Sequence, residues 1–152
     1  MHVAGCELCE GDGGELLASS GKLRIVKVLG ADGAAYPGFC RVIWSDHVKE
    51  LTDLPEIDRH AFMTAVFALE TVLRKSLQPE KMNVASLGNL TPHLHWHVIP
   101  RFRSDPAFPK PVWAITTPPA PSLDTLDVTR AGPADRSDAD WVSAVKRAFA
   151  SV

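Results

Sequence analysis

The sequence predicts an α+β domain in which a long helix covers one face of an antiparallel sheet. Three observations predict it. Short runs rich in β-branched residues are separated by glycine, proline and aspartate. Residues 57–77 carry a single helical apolar stripe. Residues 93–100 alternate between histidine and apolar side chains, the period of a strand.

Taken in order, residues 6–14 read as a tight loop with Cys6, Cys9, Gly11, Gly13 and Gly14. Residues 23–29 and 39–44 read as strands, joined across the turn residues Asp32-Gly33 and Pro37. In the long helix, Phe62, Val66, Leu69 and Leu73 recur at spacings of four, three and four, and Gln78-Pro79 ends it. Residues 81–87 form a third strand, 88–92 a short connection and 94–100 a fourth strand. The whole sheet is expected to hold about five strands. Prolines crowd the stretch from Pro106 to Pro121, which excludes regular helix and central strand. The core domain is therefore expected over 1–113 and a proline-rich segment over 114–152. A short C-terminal helix would close that segment, capped by Asp138, with Trp141, Val145 and Phe149 every four residues on one side.

Composition narrows the function. The 152 residues are 45% apolar, enough for one core, and the net charge of −2 leaves no electrostatic footprint for nucleic acid or an anionic membrane. The apolar runs are too short to span a bilayer. The first residues show no basic region followed by an apolar stretch, and three cysteines are an odd number for a disulfide scaffold. A cytoplasmic protein is expected.

The segment His93-Leu94-His95-Trp96-His97-Val98-Ile99-Pro100 concentrates the chemistry. On a strand His93, His95 and His97 share one face, with imidazoles roughly 7 Å apart, while Leu94, Trp96 and Val98 anchor the other face. Imidazole titrates near pH ~6.5, so a neutral nucleophile and a protonated acid can coexist near neutrality. The pattern alone leaves catalysis, a metal site and an inert exposed face as readings.

The string resembles the signature of the histidine-triad (HIT) proteins, His-φ-His-φ-His-φ-φ with φ apolar, and every position fits, including the continuation Pro100-Arg101. Phe39 to Trp44 followed by Ser45-Asp46-His47-Val48 is similar to the family's strand ending at a histidine before the long helix. The resemblance covers about residues 3–113. It implies a HIT-like α+β fold, often a homodimer, that acts on purine nucleotides such as dinucleoside polyphosphates or nucleoside phosphoramidates. By position, His95 would attack the α-phosphorus and form a covalent nucleotidyl-histidine that water hydrolyses. His97 would assist the leaving group, and His93 would orient the site or bind metal. The loop before the triad is shorter than in many relatives. Asn89 and Ser86 are the candidate phosphate contacts, and Asn89 reads equally as an αL turn residue. Asn83, polar within a strand, either orients a catalytic group or faces solvent. Leu23, Ile25 and Leu29 stand where relatives build a base-binding slot.

Cys6-Glu7-Leu8-Cys9 is a C-x-x-C knuckle, compatible with a metal, a redox pair or two inert thiols. In some relatives such a knuckle, the histidine before the helix and the first triad histidine bind zinc together. Those positions are Cys6, Cys9, His47 and His93 here, so the resemblance implies a structural zinc, with no metal needed for the chemistry. Cys40 reads as core. His2 and His60 read as surface. Trp44, Trp96 and Trp113 read as core aromatics, any of which can instead border a base. Arg101 and Arg103 read as phosphate attractors or a solvated strand end. Three functions follow: a nucleotide hydrolase or transferase, a nucleotide sensor without turnover, or a metal-binding domain in which the triad holds the ion.

Overall fold

The computed structural model describes residues 2–114 and 137–150. Most of the proline-rich stretch expected within 114–152 lies outside the described residues. Five strands make one antiparallel sheet: β1 (Glu15–Ser19), β2 (Leu23–Lys27), β3 (Cys40–Trp44), β4 (Lys81–Ser86) and β5 (His95–Arg101), in the order β1-β2-β3-β5-β4. The helices are α1 (Glu7–Glu10), α2 (Gly30–Ala35), α3 (Glu56–Leu77) and α4 (Asp138–Ala148).

The predicted stripe explains where α3 lies. Phe62, Val66, Leu69 and Leu73 are fully buried and pack on Ile25, Val42, Trp44 and Val98 of the sheet. Each contributes about 1.5–3 kcal/mol by leaving water. The helix stops where Gln78 turns left-handed (φ 50°) and its N–H bonds the Arg74 carbonyl, just before Pro79. α4 places Trp141, Val145 and Phe149 in the same core, and Lys27 ties it down by an ion pair with Asp138 at 2.5 Å. Ser137 stands at its N-cap and Asp138 is its first residue, so the helix begins one residue earlier than a cap at Asp138 would give.

The other face of the sheet is less uniform, and it is the face that matters for function. At one end Val26 and Ile43 pack with Cys6, Leu8 and Cys9. At the other, Val28, Phe39 and Ile99 pack with Tyr36 and Ala107. His95 and His97 stand between them on β5. Cross-strand partners share a face, so the pairings Ile43 with His95, Arg41 with His97 and Ala85 with His97 define the surroundings of the imidazoles.

Two elements depart from the expectation. β1 follows directly on the glycine loop, and residues 30–35, read as a turn, form α2. Leu23 and Ile25 are buried on the α3 face, so they do not form a slot beside the triad; Leu29 is exposed on the imidazole side.

Candidate active site

His93 lies just before β5, buried to 1% exposure. Its Nε2 is 2.7 Å from the Trp44 carbonyl, which can only accept, so Nε2 carries the proton. Nδ1 is left to face the knuckle. α1 begins directly after Cys6 and brings Cys9 around one turn, where its N–H bonds the Cys6 carbonyl. Cys6 Sγ and Cys9 Sγ each lie 3.5 Å from His93 Nδ1, and Cys9 Sγ lies 3.4 Å from His47 Nδ1. All four donor atoms fall within 4.8 Å of one another. Tetrahedral bonds of about 2.3 Å to sulfur and about 2.0–2.1 Å to nitrogen place S and N about 3.5–3.6 Å apart. The cluster fits a metal ion, and the carbonyl behind His93 supplies the outer hydrogen bond that metal-bound imidazoles require.

The same logic fixes His95. Its Nδ1 lies 2.6 Å from the His93 carbonyl and must donate to it, so the lone pair resides on Nε2. Gly88, at φ +114°, brings the 88–92 loop against this ring; a Cβ there would sit 3.7 Å from His95 Cε1 and 3.1 Å from the Thr91 carbonyl. Thr91 Oγ1 in turn donates to Glu7 Oε1 at 2.8 Å, joining the loop to α1.

His97 is 4% exposed, stacked edge-on between His95, Phe39 and Trp113 at ring distances of 4.8, 5.6 and 5.0 Å. Its Nδ1 is buried without a hydrogen-bond partner. Burial, the largest influence, pushes all three imidazoles below the ordinary 6.5, and carbonyl hydrogen bonds oppose it only for His93 and His95. His97 lacks that support and is pushed down to about 3, helped by the neighbouring His95 and Arg41. Burial thus favours the neutral form of all three rings, most strongly for His97.

The expected substrate contacts scatter. Asn89 is exposed in the loop beside Gly88; Gly88 takes the positive φ there and Asn89 does not, which removes the αL reading. Ser86 pairs with Trp96 and so lies on the α3 side of β4. Asn83 is on the imidazole face opposite Ile99, where its Oδ1 accepts from Arg101 Nη1 at 2.6 Å. Arg101 is neither a phosphate attractor nor a solvated end. It is 2% exposed and makes a two-pronged ion pair with Asp105 at 2.8 and 2.9 Å. Arg103 is exposed and pairs with Glu80. Trp44 and Trp96 pack on Phe62, whereas Trp113 is 46% exposed against Phe39 and His97.

Two residues of this face went unread in the sequence. Phe39 was assigned only to a strand, although it borders His97. Arg41 was assigned likewise, although a lone charge inside Phe39-Cys40-Arg41-Val42-Ile43-Trp44 was the signal available. Arg41 lines an open cleft of about 670 Å³ together with Gly13, Gly14, Val28, Leu29 and Asp32. At Gly13 (φ +80°) a Cβ would collide with Leu8 at 2.6 Å, so the floor of this cleft requires glycine.

The histidine alternation is buried on one face of the sheet, as its spacing predicts, and comparison with known proteins places the fold. The HIT domain matches residues 25–104. The chain belongs to the HIT, or histidine triad, family. A histidine triad protein from Bradyrhizobium japonicum is 26% identical, with 91% of this chain and 92% of that one covered at a TM-score of 0.67. A histidine triad protein from Sinorhizobium meliloti is also 26% identical, over 73% and 79% of the two chains, at a TM-score of 0.62. One from Marinobacter aquaeolei, 22% identical over 95% and 93% at a TM-score of 0.68, shares the fold. No curated protein matches the chain. Among the described residues no helix is long and apolar enough to cross a membrane.

Proposed function

We propose that this protein cleaves or transfers at the α-phosphate of a nucleotide through a covalent nucleotidyl-histidine on Nε2 of His95. The observation that carries the reading is the bond from His95 Nδ1–H to the His93 carbonyl, which aims the unprotonated nitrogen outward. In the first step the Nε2 lone pair forms a bond to phosphorus while the bond to the leaving group breaks. In the second, water attacks phosphorus, the P–N bond breaks, and neutral His95 returns with release of the nucleoside monophosphate. Positioning and electrostatic stabilisation of the phosphoryl oxygens carry most of the rate. Neutral His97 serves as a hydrogen-bond donor to the phosphate rather than a preformed acid. That role suits a polyphosphate leaving group, which departs as an anion, whereas an amine must gain a proton. Asn89 is the one sequence-predicted contact that lies in the loop over His95.

Cys6, Cys9, His47 and His93 are proposed to hold a structural zinc, which when bound cross-links α1 to the start of β5. A homodimer is proposed as well, because β4 is a regular edge strand that, among the described residues, pairs only with β5.

The test is a turnover panel of adenosine 5′-phosphoramidate, an aminoacyl-AMP mimic and dinucleoside tri- and tetraphosphates, with AMP release as readout. Wild-type protein is expected to turn over one class and His95→Ala none, with the fold retained by circular dichroism. Undiminished activity in folded His95→Ala would sink the assignment. The short 88–92 loop favours a second reading, a nucleotide sensor: tight AMP binding with no turnover of the whole panel would select it.

A further inference from the structure

The imidazole face carries three arginines, and their donors are not equally engaged. Arg24, on the row of Ile43 and His95, bonds the carbonyls of Leu8, Gly11 and Asp12 at 2.6, 3.0 and 2.9 Å and so holds the knuckle loop. Arg101 uses four of its five donors on Asp105, Asn83 and the Lys110 carbonyl. Arg41 makes one long bond, Nη1 to the Gly13 carbonyl at 3.3 Å. Its Nε is buried with no partner. A guanidinium has five N–H donors, and burying one unmet is costly. Burial disfavours its charge more than the nearby Glu7 and Asp32 support it, and no ion pair to Arg41 is formed among the described residues.

Position adds to this. Arg41 pairs directly with His97 across β3 and β5, and its guanidinium lies 5.9 Å from the centre of the Phe39 ring, which itself touches His97. It also lines the open cleft beside Gly13 and Gly14. Displacement at an α-phosphate requires positive charge on the non-bridging oxygens. The short 88–92 loop offers few backbone donors. Arg41 is then the cation on this face with donors to give.

We propose that Arg41 binds the non-bridging oxygens of the substrate's α-phosphate, supplying the charge and donors that the short loop does not. The inference rests on the nucleotide reading above and names the residue that recognises the phosphate. A guanidinium can meet two such oxygens side by side, which an ammonium cannot.

The experiment compares AMP with adenosine, which has no phosphate, by calorimetric titration of the full chain and its Arg41→Gln and Arg41→Lys variants. Arg41→Gln is expected to lose about ten- to a hundredfold in AMP affinity while binding adenosine as the wild type does. Arg41→Lys, which keeps the charge but not the fork, is expected to fall between. Adenosine binding reports that the cleft is intact in each variant. Unchanged AMP affinity in Arg41→Gln overturns the assignment, and so does a parallel loss of AMP and adenosine in both variants, which marks a structural residue. Wild-type protein that binds neither ligand removes the nucleotide reading itself, a failure distinct from that of Arg41.

Discussion

Arg101 and Asp105 show how far one residue's role can move between sequence and structure. Arg101 follows the triad strand and reads as an exposed cation, yet its side chain is buried at 2% and that of Asp105 at 1%. The Asp105 carboxylate also accepts the backbone N–H groups of Phe102, Ala107 and Phe108. It thereby folds the chain after β5 back over the imidazole face, where Tyr36 Oη bonds the Val112 carbonyl and Trp113 meets His97. Removing one partner of a buried pair strands the other charge, so Asp105→Ala is expected to cost about 3–5 kcal/mol in urea unfolding at pH 7. Burial by itself would raise the carboxyl of Asp105, but Arg101 and the backbone donors outweigh it and hold it below the ordinary 3.8. The stability it contributes is thus complete above that value and lost as pH falls through the lower, folded one. Wild-type stability should decline more steeply than that of Asp105→Ala as the pH is lowered below about 4. Equal slopes in the two proteins would show that the pair carries no such linkage.

Among the elements, periodicity made the large ones legible. The stripe of α3 and the alternation of β5 each bury a whole face, and burial of that extent leaves a repeating mark in the sequence. β1 leaves none. It is a five-residue strand at the edge of the sheet, broken by an irregularity between Leu16 and Ala18, with Leu17 its one buried residue. α2 has no buried residue at all, and Gly33 sits where a Cβ would lie 2.1 Å from the Val28 carbonyl. A helix kept for close approach rather than for packing has no apolar stripe to read. α1 is a single turn, and what marks it is chemical: two thiols one turn apart beside two imidazoles. About one zinc per chain is expected by metal analysis, lost in Cys6→Ser and retained in His95→Ala and His97→Ala. Loss of the metal in the two histidine variants, with retention in Cys6→Ser, would move the ion to the triad and overturn the knuckle assignment.

At the scale of the whole molecule, the sheet divides its labour by face: one side is a continuous apolar core, the other holds the knuckle, the triad and the cleft. The positions of the histidines and cysteines were legible because they are rare residues in fixed spacing. The substrate side was not. Arg41, Phe39 and Trp113 reach the triad from a neighbouring strand and from the chain beyond β5, and no local spacing records a contact made across strands. The unpaired edge of β4 completes the picture. Sedimentation at micromolar concentration is expected to give about twice the chain mass of 16.5 kDa; a single-chain mass would exclude the dimer.

His93 joins these parts more closely than its position suggests. One ring nitrogen faces the thiols, the other is fastened to the end of β3, and its own carbonyl holds the ring of His95. In mechanical terms the proposed nucleophile is mounted on a bracket clamped at both ends, only two residues away. An error of about 1 Å at a reacting atom costs about a hundredfold in rate. On the proposed mechanism, the aim of His95 thus depends on Cys6 and Cys9, which hold His93 from the far side.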